Sequence, residues 1–196
     1  MKELNSLTRP TNGVGTVILD LESNGLLNRA SRIHCVALHY CENNLTEAYN
    51  DEKYSDQAKE LPMGSRSITT AITSIEVADT VVGHNIIGFD LPLIKRLYPF
   101  FTYPPVIVDT LLLSRLYHPN LYDIDKKHEW KDMPTKLYGS HSLEAYGYRL
   151  GLRKGDYGKD TDWQELSQEM QDYCVQDVMV TKKLCEHFLP YLNGLR

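Results

Sequence analysis

Thr16-Val17-Ile18-Leu19-Asp20-Leu21-Glu22 decides how the rest of the chain is read. Its β-branched start and short apolar run predict a buried strand. Successive side chains on a strand point to opposite faces, so Asp20 and Glu22 share one face while Leu21 turns into the core. Two acids on one face at the C-terminal end of a core strand answer no packing need, and they direct attention to other acids with which they could converge.

Working outward, Ser23-Asn24-Gly25 ends this strand, and Ile33 to His39 reads as a second one, hairpin-paired with the first. Asn43-Asn44 makes the next turn, and residues 46–49 form a third strand. The spacing of Ile68, Ala71, Ile72, Ile75 and Val77 predicts a helix over Ser67 to Ala78. Val81 to His84 is a short strand. A helix follows from Asp90 to Tyr98, with Pro92 in its tolerant first turn and Pro99 as its stop. Val106-Ile107-Val108 is a fifth strand, and Asp109-Thr110 lead into a helix carrying Leu111, Leu112 and Leu116. Between His118 and Ser140 the apolar period is lost among Pro119, Pro134, Trp130 and four lysines, which predicts a long loop or insertion. Helical spacing returns at Ser142 to Leu150 and from Trp163 to about Leu189, where Thr161 and Gln164 fit a capping box. Strands alternating with helices in this order predict an α/β fold with a central sheet flanked by helices.

The whole chain, 196 residues and 42% hydrophobic, is expected to form one domain, residues 1–196, with a polar N-terminal extension over 1–15. A net charge of −5 argues against a basic nucleic-acid coat protein, but it does not exclude DNA, because bound cations invert the local sign. Cys35, Cys41, Cys174 and Cys185 have neither C-x-x-C nor zinc-finger spacing, so a cytoplasmic chain with reduced thiols is expected. Neither a secretory leader nor an apolar run long enough to span a membrane is seen. Phosphate-binding glycine loops are missing, and no pair of the seven histidines has zinc or triad spacing.

Two further segments complete a pattern with Asp20 and Glu22. Asn85-Ile86-Ile87-Gly88-Phe89-Asp90 places an acid at a strand-to-helix junction, and Tyr173-Cys174-Val175-Gln176-Asp177 places a phenol and an acid one turn apart on one helix face. If the last helix packs over the end of the sheet, the four carboxylates converge. Such a cluster repels itself without counter-charge, and hard oxygen ligands suit Mg²⁺ or Mn²⁺ rather than zinc. Two divalent ions in such a site hydrolyse phosphodiesters. The lysines of the 118–140 segment and the stretch Arg153 to Lys159 would either steer a DNA backbone or serve as solvated surface.

These three segments resemble the Exo I, Exo II and Exo III motifs of the DEDD, or DnaQ-like, 3′-to-5′ exonucleases, whose fold is ribonuclease H-like with a mixed five-stranded sheet. Tyr173 four residues before Asp177 matches the tyrosine subclass; Asp172 stands where the histidine subclass has its histidine. Asp109 to Leu116, Gly139 to Gly151 and Asp172 to Lys183 are similar to the proofreading domain of the T-odd phage family A DNA polymerases. The likeness runs from about Val17 to Leu189. Three residues separate Asn85 from Phe89, as in the phage replicases, whereas the bacterial repair polymerases have two.

The resemblance implies a role for each residue. Asp20, Glu22 and Asp177 would hold one metal with the attacking water, and Asp20 with Asp90 a second metal on the scissile phosphate. Tyr173 and Glu22 would orient the water. Leu26, six residues after Asp20, would wedge between the last two bases, and Asn85 would contact the terminal nucleotide or support the Asp90 turn. The implied activity is release of 5′-mononucleotides from single-stranded or frayed DNA 3′ ends, proofreading for a DNA polymerase, in the bacterial host cytoplasm if the source is a phage. Alternatives are a ribonuclease D-like RNA exonuclease and a non-catalytic polymerase adapter with the same fold.

Overall fold

A computed structural model describes residues 14–51, 67–128, 130–152 and 163–195. The polar extension, except Val14 and Gly15, lies outside these residues, as do the basic stretch Arg153 to Lys159 and the expected cap Thr161.

The opening stretch is the central strand, β1 (Thr16–Ser23), of a five-stranded sheet. It pairs antiparallel with β2 (Ile33–Tyr40), which pairs antiparallel with β3 (Leu45–Tyr49). On its other side β1 runs parallel to β4 (Thr80–Gly83), and β4 runs parallel to β5 (Val106–Asp109), giving the order β3-β2-β1-β4-β5. Helix α1 (Ile68–Glu76) precedes β4, and α2 (Asp90–Leu97) crosses from β4 to β5. After β5 come α3 (Thr110–Tyr117), α4 (Leu121–His128), α5 (Leu143–Arg149) and the long α6 (Gln168–Leu192).

The period of two along β1 sorts its residues between two cores. Val17, Leu19 and Leu21 join Val36, Leu38 and Val81 in a cluster with Ile68, Ile72 and Ile75 of α1 and Leu91, Leu93 and Ile94 of α2. Ile18, on the opposite face, packs with Val82 and with Met170, Cys174, Val178 and Cys185 of α6. Asp20 and Glu22 share the parity of Ile18, so the face that carries them is the face that α6 covers. β1 and β4 pair only from Thr16↔Thr80 to Ile18↔Val82. Beyond Ile18 no described strand pairs with the β4 side of β1, and Asp90, after β4, reaches the Leu21 N–H.

Three details differ from the sequence reading. The 118–140 segment is not one long loop: it holds α4 and a 3₁₀ turn at Thr135–Leu137. The apolar signal of α4 was hidden because one of its inward positions is a charged residue. Leu121 and Asp125, four apart, are its buried side chains. The second difference is the start of α6, which begins at Gln168, with Ser167 Oγ accepting from the Met170 N–H at 3.1 Å. Trp163 lies outside the helix because its carbonyl accepts from His34 Nε2 at 3.0 Å, tying it to β2. Third, α6 continues through Pro190 to Leu192. It closes with Gly194 at φ 67°, whose N–H bonds to the Tyr191 carbonyl while that of Leu195 bonds to Pro190, the two bonds of a Schellman ending.

The second side of α6 carries the α4–α5 layer, where Val180, Leu184 and Phe188 meet Leu121, Leu143 and Tyr146. No helix among the described residues is long and apolar enough to cross a membrane. The four cysteines are buried and free.

Candidate active site

Because α6 lies over the Asp20 face of β1, it brings Asp177 to the two strand acids. One carboxylate oxygen from each of Asp20, Glu22 and Asp177 lies within 4.8 Å of the other two. Asp177 is buried, and the two strand acids are half-buried. Cys174 fixes the approach of α6 from below, its Sγ donating to the Asp20 carbonyl at 3.4 Å. Burial, the adjacent Cys35 thiol and the Asp20 and Glu22 charges hold the Cys174 thiol well above its ordinary range, so it acts as a packing group and not as a nucleophile.

Three carboxylates at this spacing offer an all-oxygen donor set. Unneutralised they repel one another, and a hard divalent cation is the partner that such a set fits.

Asp90 is not one of the three acids that close to within 4.8 Å. It is the first residue of α2, 5% exposed, and its carboxylate accepts from the Leu21 N–H in the opening beside β1. Burial pushes this carboxyl up to about 7 against the pull of hydrogen bonds from its own and the Leu21 N–H, and the Asp109 charge adds to the rise. A carboxyl whose folded pKa lies above its unfolded value near 3.9 favours the fold at low pH. That contribution is lost as pH rises from about 4 through 7. Asp90→Asn is therefore expected to raise the Tm of the metal-free protein at pH 8 and to leave it nearly unchanged at pH 4, which a pair of thermal melts in EDTA would check.

Tyr173 sits one turn before Asp177 on α6, and its ring meets that of Trp163 edge to face, centroids 6.5 Å apart. Leu26 lies in the turn after β1 and is 77% exposed, while its neighbour Leu27 packs on the core. The turn that displays Leu26 is held by Asn24 Oδ1, which accepts from the Ser31 and Arg32 N–H groups, and by the Leu26 carbonyl, which accepts from those of Arg29 and Ala30. Asn85 adopts φ 62°, a left-handed conformation that Asn tolerates better than most residues, and its carbonyl accepts from the N–H groups of Gly88 and Phe89. Gly88 leaves room for the Asn85 side chain, whose Oδ1 a Cβ there would meet at 2.5 Å.

Two neighbours of the site were not singled out from the sequence. Asp109 was legible as a helix start, but its grip on the Asn85 turn depends on β4 and β5 lying side by side, with Gly83 paired to Asp109. Trp163 read as a helix residue, and only its link to His34 on β2 reveals its place beside Tyr173.

Residues 17–189 match the model of the RNase_H superfamily. The chain is 33% identical, over 88% of its length, to a DNA-directed DNA polymerase of Enterobacteria phage T3, and equally so to that of Escherichia phage T7. It spans 26% of the length of each of these relatives. Among solved structures, NrnC of Brucella melitensis with bound Mg²⁺ superposes with a TM-score of 0.53 at 20% identity, covering 91% of this chain and 75% of that one. With its mixed five-stranded sheet, flanking helices and family match across nearly its whole length, the chain belongs to the ribonuclease H superfamily.

Proposed function

We propose that this chain is a divalent-metal-dependent 3′-to-5′ exonuclease of the tyrosine DEDD type, which removes 5′-mononucleotides from single-stranded or frayed DNA ends. The observation that carries this reading is the convergence of Asp20, Glu22 and Asp177 from β1 and α6. Asp90, docked on β1 beside them, is the fourth acid. Likeness to two phage DNA polymerases favours DNA over RNA and a proofreading role beside a polymerase, in a host cytoplasm. Likeness to a nuclease-fold structure solved with Mg²⁺ favours that ion.

Two Mg²⁺ or Mn²⁺ ions, when bound, supply an activated water and neutralise charge on the attacked phosphate. Asp20, Glu22 and Asp177 would hold the ion that serves the water, and Asp90 with Asp20 would hold the other. The Tyr173 phenol orients the water by hydrogen bonding and is not the base. Asn85 contacts the terminal nucleotide, and exposed Leu26 wedges between the last two bases, where unpairing costs least at a mismatch.

The test uses a 5′-labelled DNA oligonucleotide with Mg²⁺ or Mn²⁺. Stepwise shortening from the 3′ end, release of 5′-mononucleotides and full inhibition by EDTA are expected. Equal kinetics on a matched RNA would move the assignment to an RNA exonuclease, and binding without cleavage in Mn²⁺ to an adapter. Leu26→Ala is expected to leave stability within about 0.5 kcal/mol, as for other exposed positions. It should slow excision from a matched duplex end several-fold more than from single-stranded DNA. Equal slowing on the two substrates would remove Leu26 from the role.

A further inference from the structure

The turn that carries Asn85 and Asp90 is gripped from the neighbouring strand by one buried side chain. Asp109, at the end of β5, is 6% exposed and accepts four backbone hydrogen bonds. Oδ1 takes the N–H of Asn85 at 3.0 Å, of Leu111 at 2.9 Å and of Leu112 at 3.4 Å; Oδ2 takes that of Ile87 at 3.2 Å. Two of these donors open α3, and two belong to the turn between β4 and α2.

Capping α3 does not require this arrangement. Ser, Thr or Asn caps a helix as well as Asp does, without placing a buried negative charge close enough to Asp90 to raise its carboxyl. What a carboxyl group adds is a second acceptor oxygen, Oδ2, which extends the hold on the turn to Ile87. Thr110, the next residue, reinforces the grip. Its hydroxyl donates to the Gly83 carbonyl at 3.2 Å and lies 2.9 Å from His84 Nδ1. Residues 83, 84, 85 and 87 are thus all tied to the Asp109–Thr110 junction. A turn held this way delivers Asp90 to the Leu21 N–H in one position and supports the left-handed backbone of Asn85.

We propose that Asp109 is a positioning residue: by clamping the Asn85 and Ile87 amides it fixes the turn that sets the Asp90 carboxylate against β1. The role rests on the exonuclease reading of Asp90, and Asp109 itself touches neither substrate nor reacting atoms.

Asp109→Asn keeps the acceptor that holds Asn85 and caps α3, and removes the one that holds Ile87. An Asn oxygen still caps α3, while its amide group turns a donor toward the donor of Ile87. The variant is compared with Ser142→Ala, which removes the cap of α5 and has no link to the turn. For each protein, the Mn²⁺ concentration that gives half of the metal-induced Tm rise is measured, along with kcat and KM on a single-stranded DNA 12-mer. Asp109→Asn is expected to lower kcat by about 10–100-fold, the scale seen when partners that orient metal ligands are lost. KM should stay within about twofold, and the Mn²⁺ midpoint should rise several-fold. Ser142→Ala should lower the Tm and leave kcat and the midpoint as in the wild type. Thr110→Val, which leaves Asp109 intact, should move kcat and the midpoint in the same direction by less. If Asp109→Asn and Thr110→Val lower only the Tm, as Ser142→Ala does, the clamp is merely structural and the proposal is overturned. Absence of nuclease activity in the wild type would instead overturn the exonuclease reading, and the Mn²⁺ midpoints would still decide whether Asp109 orders the acid site.

Discussion

Asp177→Asn is expected to reduce single-stranded DNA hydrolysis by about 10²–10³-fold or more, the scale on which loss of one transition-state-stabilising group is felt. The same substitution should make the metal-free protein more stable. In the absence of a cation, Asp177 stands within 4.8 Å of Asp20 and Glu22, and removing one of three like charges relieves their repulsion. A rise in Tm in EDTA, together with loss of the Tm increase on adding Mn²⁺, is a pair of signs that a simple folding defect cannot produce. Hydrolysis at the wild-type rate with Mg²⁺ or Mn²⁺ would remove Asp177 from the catalytic set. The opposition of stability and activity is what a site built from converging acids should show.

Asp125→Ala is expected to carry the largest cost in stability, about 3–5 kcal/mol, because it strands a buried cation. Arg149 Nη2 lies 2.7 Å from Asp125 Oδ2, with side-chain exposures of 4% and 0%, and Arg149 Nε donates to Oδ1 at 2.9 Å. The Trp130 indole and the Gly139 N–H complete the shell at 2.8 and 2.7 Å. For a chain of this size the loss corresponds to a fall in Tm of about 6–20 °C. Burial alone would raise the Asp125 carboxyl, but the Arg149 hydrogen bonds and charge and the Gly139 and Trp130 donors outweigh it, and the group is held below the ordinary carboxylate range. A depressed folded pKa contributes stability that is fully present above the unfolded value near 3.9 and disappears as pH falls through the folded value. The gap in Tm between wild type and Asp125→Ala should therefore narrow below about pH 4. A gap unchanged between pH 7 and pH 3 would show that lost packing, not the ion pair, sets the cost.

Asp125 also explains what the sequence concealed. The strands and the acid pattern were readable because their cause is local: a period of two puts Asp20 beside Glu22, and four residues put Tyr173 above Asp177. The five strands and the helices other than α4 followed from apolar runs and their breakers. What was not readable depends on partners distant in the sequence. Asp125 fills a core position of α4 only because Arg149, 24 residues on, meets it there, so a pattern built on hydrophobic residues passes over the helix. Ser167, not the Thr161–Gln164 pair, opens α6, since Trp163 is drawn away toward His34 on β2. The grip of Asp109 likewise appears only once β5 lies beside β4.

The division of the acids between β1 and α6 has a consequence for the timing of activity. Asp20 and Glu22 lie on β1, the first of the described strands, whereas Asp177 lies on α6, more than 140 residues later in order of synthesis. A chain emerging from its N-terminus can therefore form the sheet long before it holds a complete set of ligands. Nascent chains, and any product truncated before α6, lack the third carboxylate. The three-acid cluster is thus completed only by the fold itself, and a chain without α6 lacks one wall of it.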